Sequence, residues 1–325
     1  MHHQKNSRLL DGLSLIFKTI SFLNLKRKSL ALTPYPDAVI ISIDNLSFGG
    51  TGKTSLVMAI GQFLETRDLK FAIVTRGYKS KAESRESVKV QPFHGVEDVG
   101  DEALLFHSRF PHHDVYVGKN RSQSIRAAIR DQNPILLLDD GFQSTHVHKD
   151  FKVMLINPAH PYYYLRNFRF LMKDEDIILY YHNHNHNHNH DHDTEKQGNT
   201  YWFELDDFFD AQGNRVDVRT GAPSLWGFSA LGDNQRFKND LSSFHLAGFT
   251  GFPDHHFYTE TDIRNLNARR IDQNVTYLVC TEKDFIKIKH FNLNQIPLIY
   301  PKNSIKFNFD FMNKLLEVCS RKIKK

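Results

Sequence analysis

The chain alternates short, uninterrupted apolar runs with longer stretches whose apolar positions recur at helical spacing. Ala38–Ile43 is the first such run, rich in β-branched residues, and Lys53–Glu65 behind it predicts a helix. Phe71–Thr75, Val115–Val117, Ile135–Leu138, Lys152–Ile156 and Ile177–Tyr181 read as further strands. Runs apolar on both faces and separated by helical segments predict a mostly parallel sheet flanked by helices. Beyond residue 200 the pattern resumes with Leu225–Ser229, Tyr277–Cys280 and Leu298–Tyr300, each near a helical segment, and predicts a smaller second α/β domain. The expected organisation is an N-terminal helix over 1–32, a first domain over 33–181, a loop over 182–199 and a C-terminal domain over 200–325.

The N-terminal segment has its own pattern. Leu9, Leu13, Ile16, Phe17 and Ile20 share one helical face, widened by Leu10 and Leu23. Lys18 breaks the apolar run well short of the ~20 residues that span a bilayer. It is also a poor signal peptide, because no small-residue cleavage site follows. An apolar face followed by Lys26-Arg27-Lys28 suits a helix lying on an anionic membrane, and equally a helix docked on its own domain.

Composition narrows the class. With 40% hydrophobic and 24% charged residues over 325 positions, the chain suits a folded globular protein. Two cysteines, Cys280 and Cys319, cannot build a disulfide framework, which favours a reducing compartment. The net charge of +5 is unevenly placed. Residues 1–32 hold six cations against Asp11, and Arg321, Lys322, Lys324 and Lys325 add four more, so the body between is mildly acidic. A nucleic-acid-binding domain needs a basic face on the fold itself, and no nucleic-acid partner is expected. The basic ends read as contacts to an anionic bilayer.

The strongest local chemistry is Ser47-Phe48-Gly49-Gly50-Thr51-Gly52-Lys53-Thr54, placed between a strand and a helix. It fits the phosphate-loop pattern G-x-x-x-x-G-K-[ST] except for Ser47 at the first position. Glycines let backbone N–H groups converge on phosphate oxygens, and the helix N-terminus adds positive potential. Lys53 is expected to reach the β- and γ-phosphates and Thr54 to ligate Mg²⁺. The strand Ile135–Leu138 ends in Asp139-Asp140, an arrangement that sets a carboxylate beside a metal shell or caps a helix. Val99-Gly100-Asp101-Glu102 puts two acids at a helix start, where dipole compensation also explains them. Phe252-Pro253-Asp254-His255-His256 places acid and imidazole in a Pro-containing turn. A carboxylate and a histidine brought together could accept an alcohol proton, but spacing alone leaves both clusters open.

Residues 182–193 alternate His with Asn or Asp and hold six of the nineteen histidines. Imidazoles bind transition metals, yet nothing in the tract fixes a coordination geometry, and it reads as an insertion. Deleting it is expected to change activity little.

Taken in order, these motifs resemble the tetraacyldisaccharide 4′-kinase family, the lipid A 4′-kinases. The resemblance rests on Asn45–Thr54, Thr75-Arg76-Gly77-Tyr78, Val99–Glu102, Asp139-Asp140-Gly141-Phe142-Gln143, Phe252–His256 and Thr281-Glu282-Lys283-Asp284. It implies transfer of the γ-phosphate of ATP to the 4′-hydroxyl of a lipid A disaccharide precursor. It also implies a monotopic protein on the cytoplasmic face of the bacterial inner membrane. Asp101 would be the base and His255 its partner. Lys53 and Thr54 would hold phosphate and metal, with Ser47, Gly49, Gly50, Thr51 and Gly52 in the loop and Asp139 and Asp140 in the Mg²⁺ shell. Arg76, Tyr78, Glu102, Arg121 and Gln143 would line the nucleotide or sugar-phosphate site. The chain departs from the family at Leu165-Arg166-Asn167-Phe168, where Glu-Pro usually follows Leu-Arg, and at Ser144, where His is common.

The main alternative is a metal-delivery phosphate-loop GTPase with a His-rich metal-binding tract. Such a protein needs an Asn/Thr-Lys-x-Asp guanine reader. In Thr281-Glu282-Lys283-Asp284 the Lys and Asp are adjacent, so the spacing fails.

Overall fold

The computed structural model describes residues 32–45, 51–85, 87–141, 144–157, 177–182, 199–293, 296–308 and 310–323. The predicted N-terminal helix, Ser47, Gly49, Gly50, Gln143, the 165–168 segment and all of the His/Asn tract except His182 lie outside them. The described residues divide into two compact units. One runs to Trp202 and includes the residues from Ile305 onward, and the other spans Phe203–Ser304.

In the first unit, the strands β1 (Val39–Asn45), β2 (Phe71–Thr75), β4 (Asp114–Val117), β5 (Ile135–Asp139), β6 (Phe151–Ile156) and β7 (Ile177–Tyr181) form a parallel sheet in the order β7-β6-β1-β5-β2-β4. The short β3 (Val88–Lys89) closes the far edge antiparallel to β4. β1, β2 and β5 are buried along their whole length, which is why their sequences read as continuous apolar runs rather than as alternation. The predicted mostly parallel α/β architecture is the one observed.

Helices α1 (Lys53–Glu65), α2 (Val96–Val99), α3 (Asp101–Arg109) and α4 (Arg121–Arg130) connect these strands. α1 buries Leu56, Val57, Ile60 and Leu64, each side chain contributing roughly 1.5–3 kcal/mol. Gly61 on the same face is required by close approach, because a Cβ there would lie 2.7 Å from the Phe110 ring. β1 sits between β5 and β6: the chain leaves it toward β2 on one side and later crosses past it from β5 to β6 on the other. This is the crevice where open α/β sheets take their ligands, outside the carboxyl ends of the strands.

The second unit repeats the theme on a smaller scale. β8 (Thr200–Asp210) enters it and turns back antiparallel into β9 (Arg215–Val216). β10 (Leu225–Ser229), β11 (Leu246–Gly251), β12 (Tyr277–Cys280) and β13 (Leu298–Phe307) pair in parallel in the order β11-β10-β12-β13. Helices α5 (Asn234–Asp240), α6 (Glu260–Asp272) and α7 (Glu282–Ile288) connect them. β13 then carries the chain back to the first unit, which ends with α8 (Met312–Ile323).

α8 buries Leu315 and Cys319 and is anchored by Lys322. The ammonium of Lys322 donates to both oxygens of Asp150 at 2.9 and 2.8 Å, and Asp150 also accepts from the Ile40 N–H of β1 at 2.8 Å. Arg321 pairs with Glu317 at 3.4 Å. Part of the C-terminal positive charge is thus neutralised within the fold. Among the described residues, no helix is long and apolar enough to cross a membrane.

One acid is misplaced energetically. Asp240 ends α5, where the helix dipole already concentrates negative charge. Burial pushes its carboxyl up to about 6, against the pull of Arg236 and with the added repulsion of Asp233. The folded chain therefore keeps this proton to about pH 6, while the unfolded chain releases it near 3.8. Stability falls as pH rises through that window, and the loss is complete above it. Asp240→Asn should stabilise the protein at pH 7.5 by on the order of 1–2 kcal/mol after solvent screening. That gain should vanish by pH 4. Equal melting temperatures at pH 7.5 would refute the assignment.

Candidate active site

The site is built at the carboxyl ends of β1, β2 and β5. β1 ends at Asn45. Across the loop, Gly52 precedes α1 with φ 88°, a left-handed conformation that glycine adopts without steric cost. The carbonyl of Thr51 accepts a hydrogen bond from the Tyr201 hydroxyl at 2.9 Å, tying the loop to β8. The Thr51 hydroxyl is buried without a hydrogen-bond partner among the described residues. Lys53 opens α1, and its ammonium lies 3.2 Å from Asp140 and 3.1 Å from the side-chain oxygen of Asn45. A cation at the head of a helix is a phosphate-binding arrangement.

β5 delivers the acids. Asp139 ends the strand at 4% exposure, and one of its oxygens accepts from the Thr75 hydroxyl at 3.0 Å. Its other oxygen is buried without a hydrogen-bond partner among the described residues. Burial pushes the Asp139 carboxyl up to about 7, helped by the negative charges of Glu102 and Asp140, while Lys53 and Arg121 oppose the shift. Arg121, the first residue of α4, is itself buried. It donates to the carbonyls of Gly118 at 3.0 Å and Asp139 at 2.8 Å, so it holds the strand end in place. Asp140 takes the left-handed φ of 56° while its N–H donates to the Ile43 carbonyl at 3.0 Å.

The Thr-Arg-Gly-Tyr and Val-Gly-Asp-Glu motifs meet through their glycines. Gly77 has φ 67°, and a Cβ there would fall 2.2 Å from Val117. Gly100 has φ 92°, and a Cβ there would meet the backbone of Gly77 at 3.4 Å. Two side-chain-free positions let the turn after β2 press against the start of α3. Asp101 heads α3 at 6% exposure and accepts from the Glu102 N–H at 2.9 Å. Glu102 in turn accepts from the Thr54 hydroxyl at 3.0 Å, joining α3 to the phosphate loop across 48 residues of sequence. Arg76 pairs with Glu83 at 2.7 Å, and Tyr78 is half-exposed.

The donor set has a consistent chemistry. Thr54, Glu102, Asp139 and Asp140 offer only hard oxygen ligands, and the Asp139 oxygen that has no partner among the described residues is the group a cation would relieve. Among the described residues, no group of three or more His, Cys, Asp or Glu side chains could hold a metal by itself. Mg²⁺ fits these residues. It takes one or two protein oxygens and completes its shell with water and substrate phosphates.

Residues 6–320 match the profile of the tetraacyldisaccharide-1-P 4′-kinase family, nearly the whole chain. The chain belongs to that family. A tetraacyldisaccharide 4′-kinase of Rickettsia canadensis is 28% identical over 303 residues, covering 89% of this chain and 87% of its own. One of Chlamydia caviae is 29% identical over 318 residues, covering 93% and 85%. Among solved structures, LpxK from Aquifex aeolicus in complex with ATP superposes with a TM-score of 0.74 at 23% identity, over 97% of this chain and 99% of that one. The enzyme is a phosphotransferase of lipid A biosynthesis that acts on a lipid A disaccharide precursor.

The tetraacyldisaccharide 4′-kinase motifs of the second unit divide by role. His255 lies in the turn after β11 with φ 59°, and its imidazole approaches Asp254 at 3.9 Å. Thr281-Glu282-Lys283-Asp284 is structural. Thr281 caps α7 by accepting from the Asp284 N–H at 3.0 Å, and its own hydroxyl donates to Asp284 at 2.7 Å. Asp284 is fully buried, accepts from the Ala230 N–H at 3.2 Å, and pairs with the equally buried Lys287 at 3.2 Å. A carboxylate committed in this way cannot read a guanine ring, so this motif gives the GTPase alternative no support.

Sequence reading assigned no role to Asn45, Thr75 or Tyr201, which hold Lys53, Asp139 and Thr51. Asn45 and Thr75 carry a usable signal. Each is the polar last residue of a buried parallel strand, where side chains point into the ligand crevice.

Proposed function

We propose that the first unit binds Mg-ATP at the head of α1 and that Asp101 accepts the proton of the 4′-hydroxyl of a tetraacyldisaccharide 1-phosphate. One observation carries this reading. The hydrogen bond from Thr54 to Glu102 fixes the start of α3 against the phosphate loop, and Asp101 is the adjacent residue. Acceptor activation and phosphate binding are thereby built on the same few side chains.

Phosphoryl transfer asks the protein mainly for positioning and charge neutralisation. Lys53 already spans the site between Asn45 and Asp140, and its ammonium is placed to follow negative charge toward the transferred group. Thr54 and Asp139, with Asp140, would hold Mg²⁺, which supplies charge neutralisation at the phosphates. Arg121, fixed to the Asp139 carbonyl, keeps the acids in register. Ser47, Gly49 and Gly50 complete the loop in this reading, and Arg76, Tyr78 and Gln143 line the nucleotide or sugar phosphate. His255 is the histidine the family resemblance assigns to the same proton. His255→Ala should lower turnover about 10²-fold without moving the KM for ATP.

The amphipathic, basic N-terminal segment supports a peripheral position on the cytoplasmic face of the inner membrane, where the lipid acceptor would lie. The mildly acidic body argues against nucleic acid as a partner. The full chain with Mg-ATP and tetraacyldisaccharide 1-phosphate in detergent should yield the bis-phosphorylated lipid, and GTP should be a poor substitute. No product under these conditions would refute the reading.

A further inference from the structure

The Phe252–His256 turn combines features that do not hold themselves in place. Pro253 has no N–H to donate, and His255 sits at φ 59°, a conformation that costs a non-glycine residue on the order of 1 kcal/mol. The turn persists because it is gripped at both ends. On the C-terminal side, His256 stacks on Phe252 with centroids 4.8 Å apart and lies 3.2 Å from Asp262, which completes the capping box of α6 with Thr259. Its N–H also closes the turn onto the Pro253 carbonyl at 3.0 Å. On the N-terminal side, the Phe252 N–H donates to the Ser229 carbonyl at 2.8 Å, and the Phe252 carbonyl accepts from Asn234 at 2.8 Å.

The Asn234 side chain makes three hydrogen bonds among the described residues. Its side-chain oxygen accepts from the Leu231 N–H at 3.0 Å and from the Ser229 hydroxyl at 2.6 Å, while its NH₂ donates to Phe252. A backbone N–H can only donate and a carbonyl can only accept, so these partners fix the amide orientation. The end of β10 and the turn after β11 also approach closely around it. A Cβ at Gly251 would lie 3.2 Å from the Asn234 amide nitrogen, and one at Gly232 would lie 3.3 Å from the Asp254 carboxylate. One side-chain amide therefore bridges the loop after β10 to the turn that carries His255.

We propose that Asn234 is a positioning residue for phosphoryl transfer, its amide fixing the Phe252 carbonyl and through it the placement of the His255 imidazole. The proposal rests on the reading of His255 as a participant in the reaction. Asn234 touches no reacting group. It acts by holding the backbone three residues along the turn from one, and an error of about 1 Å in such a group costs up to roughly 10²-fold in rate.

Asn234→Asp separates this role from simple stability. The carboxylate keeps an acceptor for Leu231 and Ser229, and it replaces the donor to Phe252 with an oxygen that repels that carbonyl. As the first residue of α5, an Asp also suits the helix dipole, so the fold should be retained. In the full-length enzyme, kcat should fall at least about 10-fold with the KM for ATP unchanged and the melting temperature within a few degrees of wild type. In a His255→Ala background the same substitution should cost nothing further, because the two act through one group. Wild-type kcat in Asn234→Asp, or an undiminished further loss in the double variant, would overturn the proposal. If His255→Ala itself retains full turnover, the reading of His255 fails, and the positioning claim is then decided by the ring resonances of His255. They should shift in Asn234→Asp while those of His245 and His290 stay in place, and an unmoved His255 spectrum would overturn it.

Discussion

Lys53→Ala should lower turnover by about 10³-fold or more, roughly 4 kcal/mol of transition-state stabilisation, while leaving a folded protein. The ammonium lies 3.2 Å from Asp140 and 3.1 Å from Asn45, so in the resting site it already offsets a cluster that includes Asp139 and Glu102. Its removal deletes the cation best placed to accompany the migrating phosphoryl group. It also leaves neighbouring carboxylates to repel incoming phosphates, so the KM for ATP should rise as kcat falls. Steady-state assays on the lipid acceptor, with a thermal melt as the control for folding, read both effects. Turnover within a few-fold of wild type would remove Lys53 from the transition state.

Asp101→Asn should cost about 10²–10⁴-fold in kcat with the KM for ATP near its wild-type value. Asn preserves the side-chain oxygen that accepts from the Glu102 N–H, so the first turn of α3 and the Glu102–Thr54 link remain in place. What disappears is the ability to take a proton. A loose phosphoryl-transfer transition state asks less of the base than of the charges around the phosphate, so the lower part of that range is expected. A kcat unchanged from wild type would show that the hydroxyl proton leaves by another route.

Some of this site can be read from the residues alone. Gly52-Lys53-Thr54 follows a buried strand and opens a helix, and local sequence enforces both facts. β-branched residues favour the extended run from Val39, and the glycines permit the tight turn that bulkier residues would block. Asp101 at the head of α3 and Asp139 at the end of β5 were legible for the same reason, since helix starts and strand ends are properties of a dozen neighbouring residues. Other features were not. Thr75 is one more polar residue after an apolar run until β2 is seen beside β5, which brings its hydroxyl 3.0 Å from Asp139 across 64 residues. Arg121 could have been a surface cation. The sheet order instead buries it against the Asp139 carbonyl.

The sequence by itself determined the elements, the phosphate loop, the two pairs of acids and the family to which they point. Those are consequences of periodicity and local backbone preference, which act over one or two turns. Only the tertiary structure decided that Glu102 faces Thr54, that Asp139 is buried against Thr75, that Asp284 belongs to a buried pair with Lys287, and that the C-terminal helix returns to the first unit through Lys322 and Asp150. Each depends on which strands become neighbours. That choice is made by summed burial across the whole sheet, and no short stretch of sequence contains it.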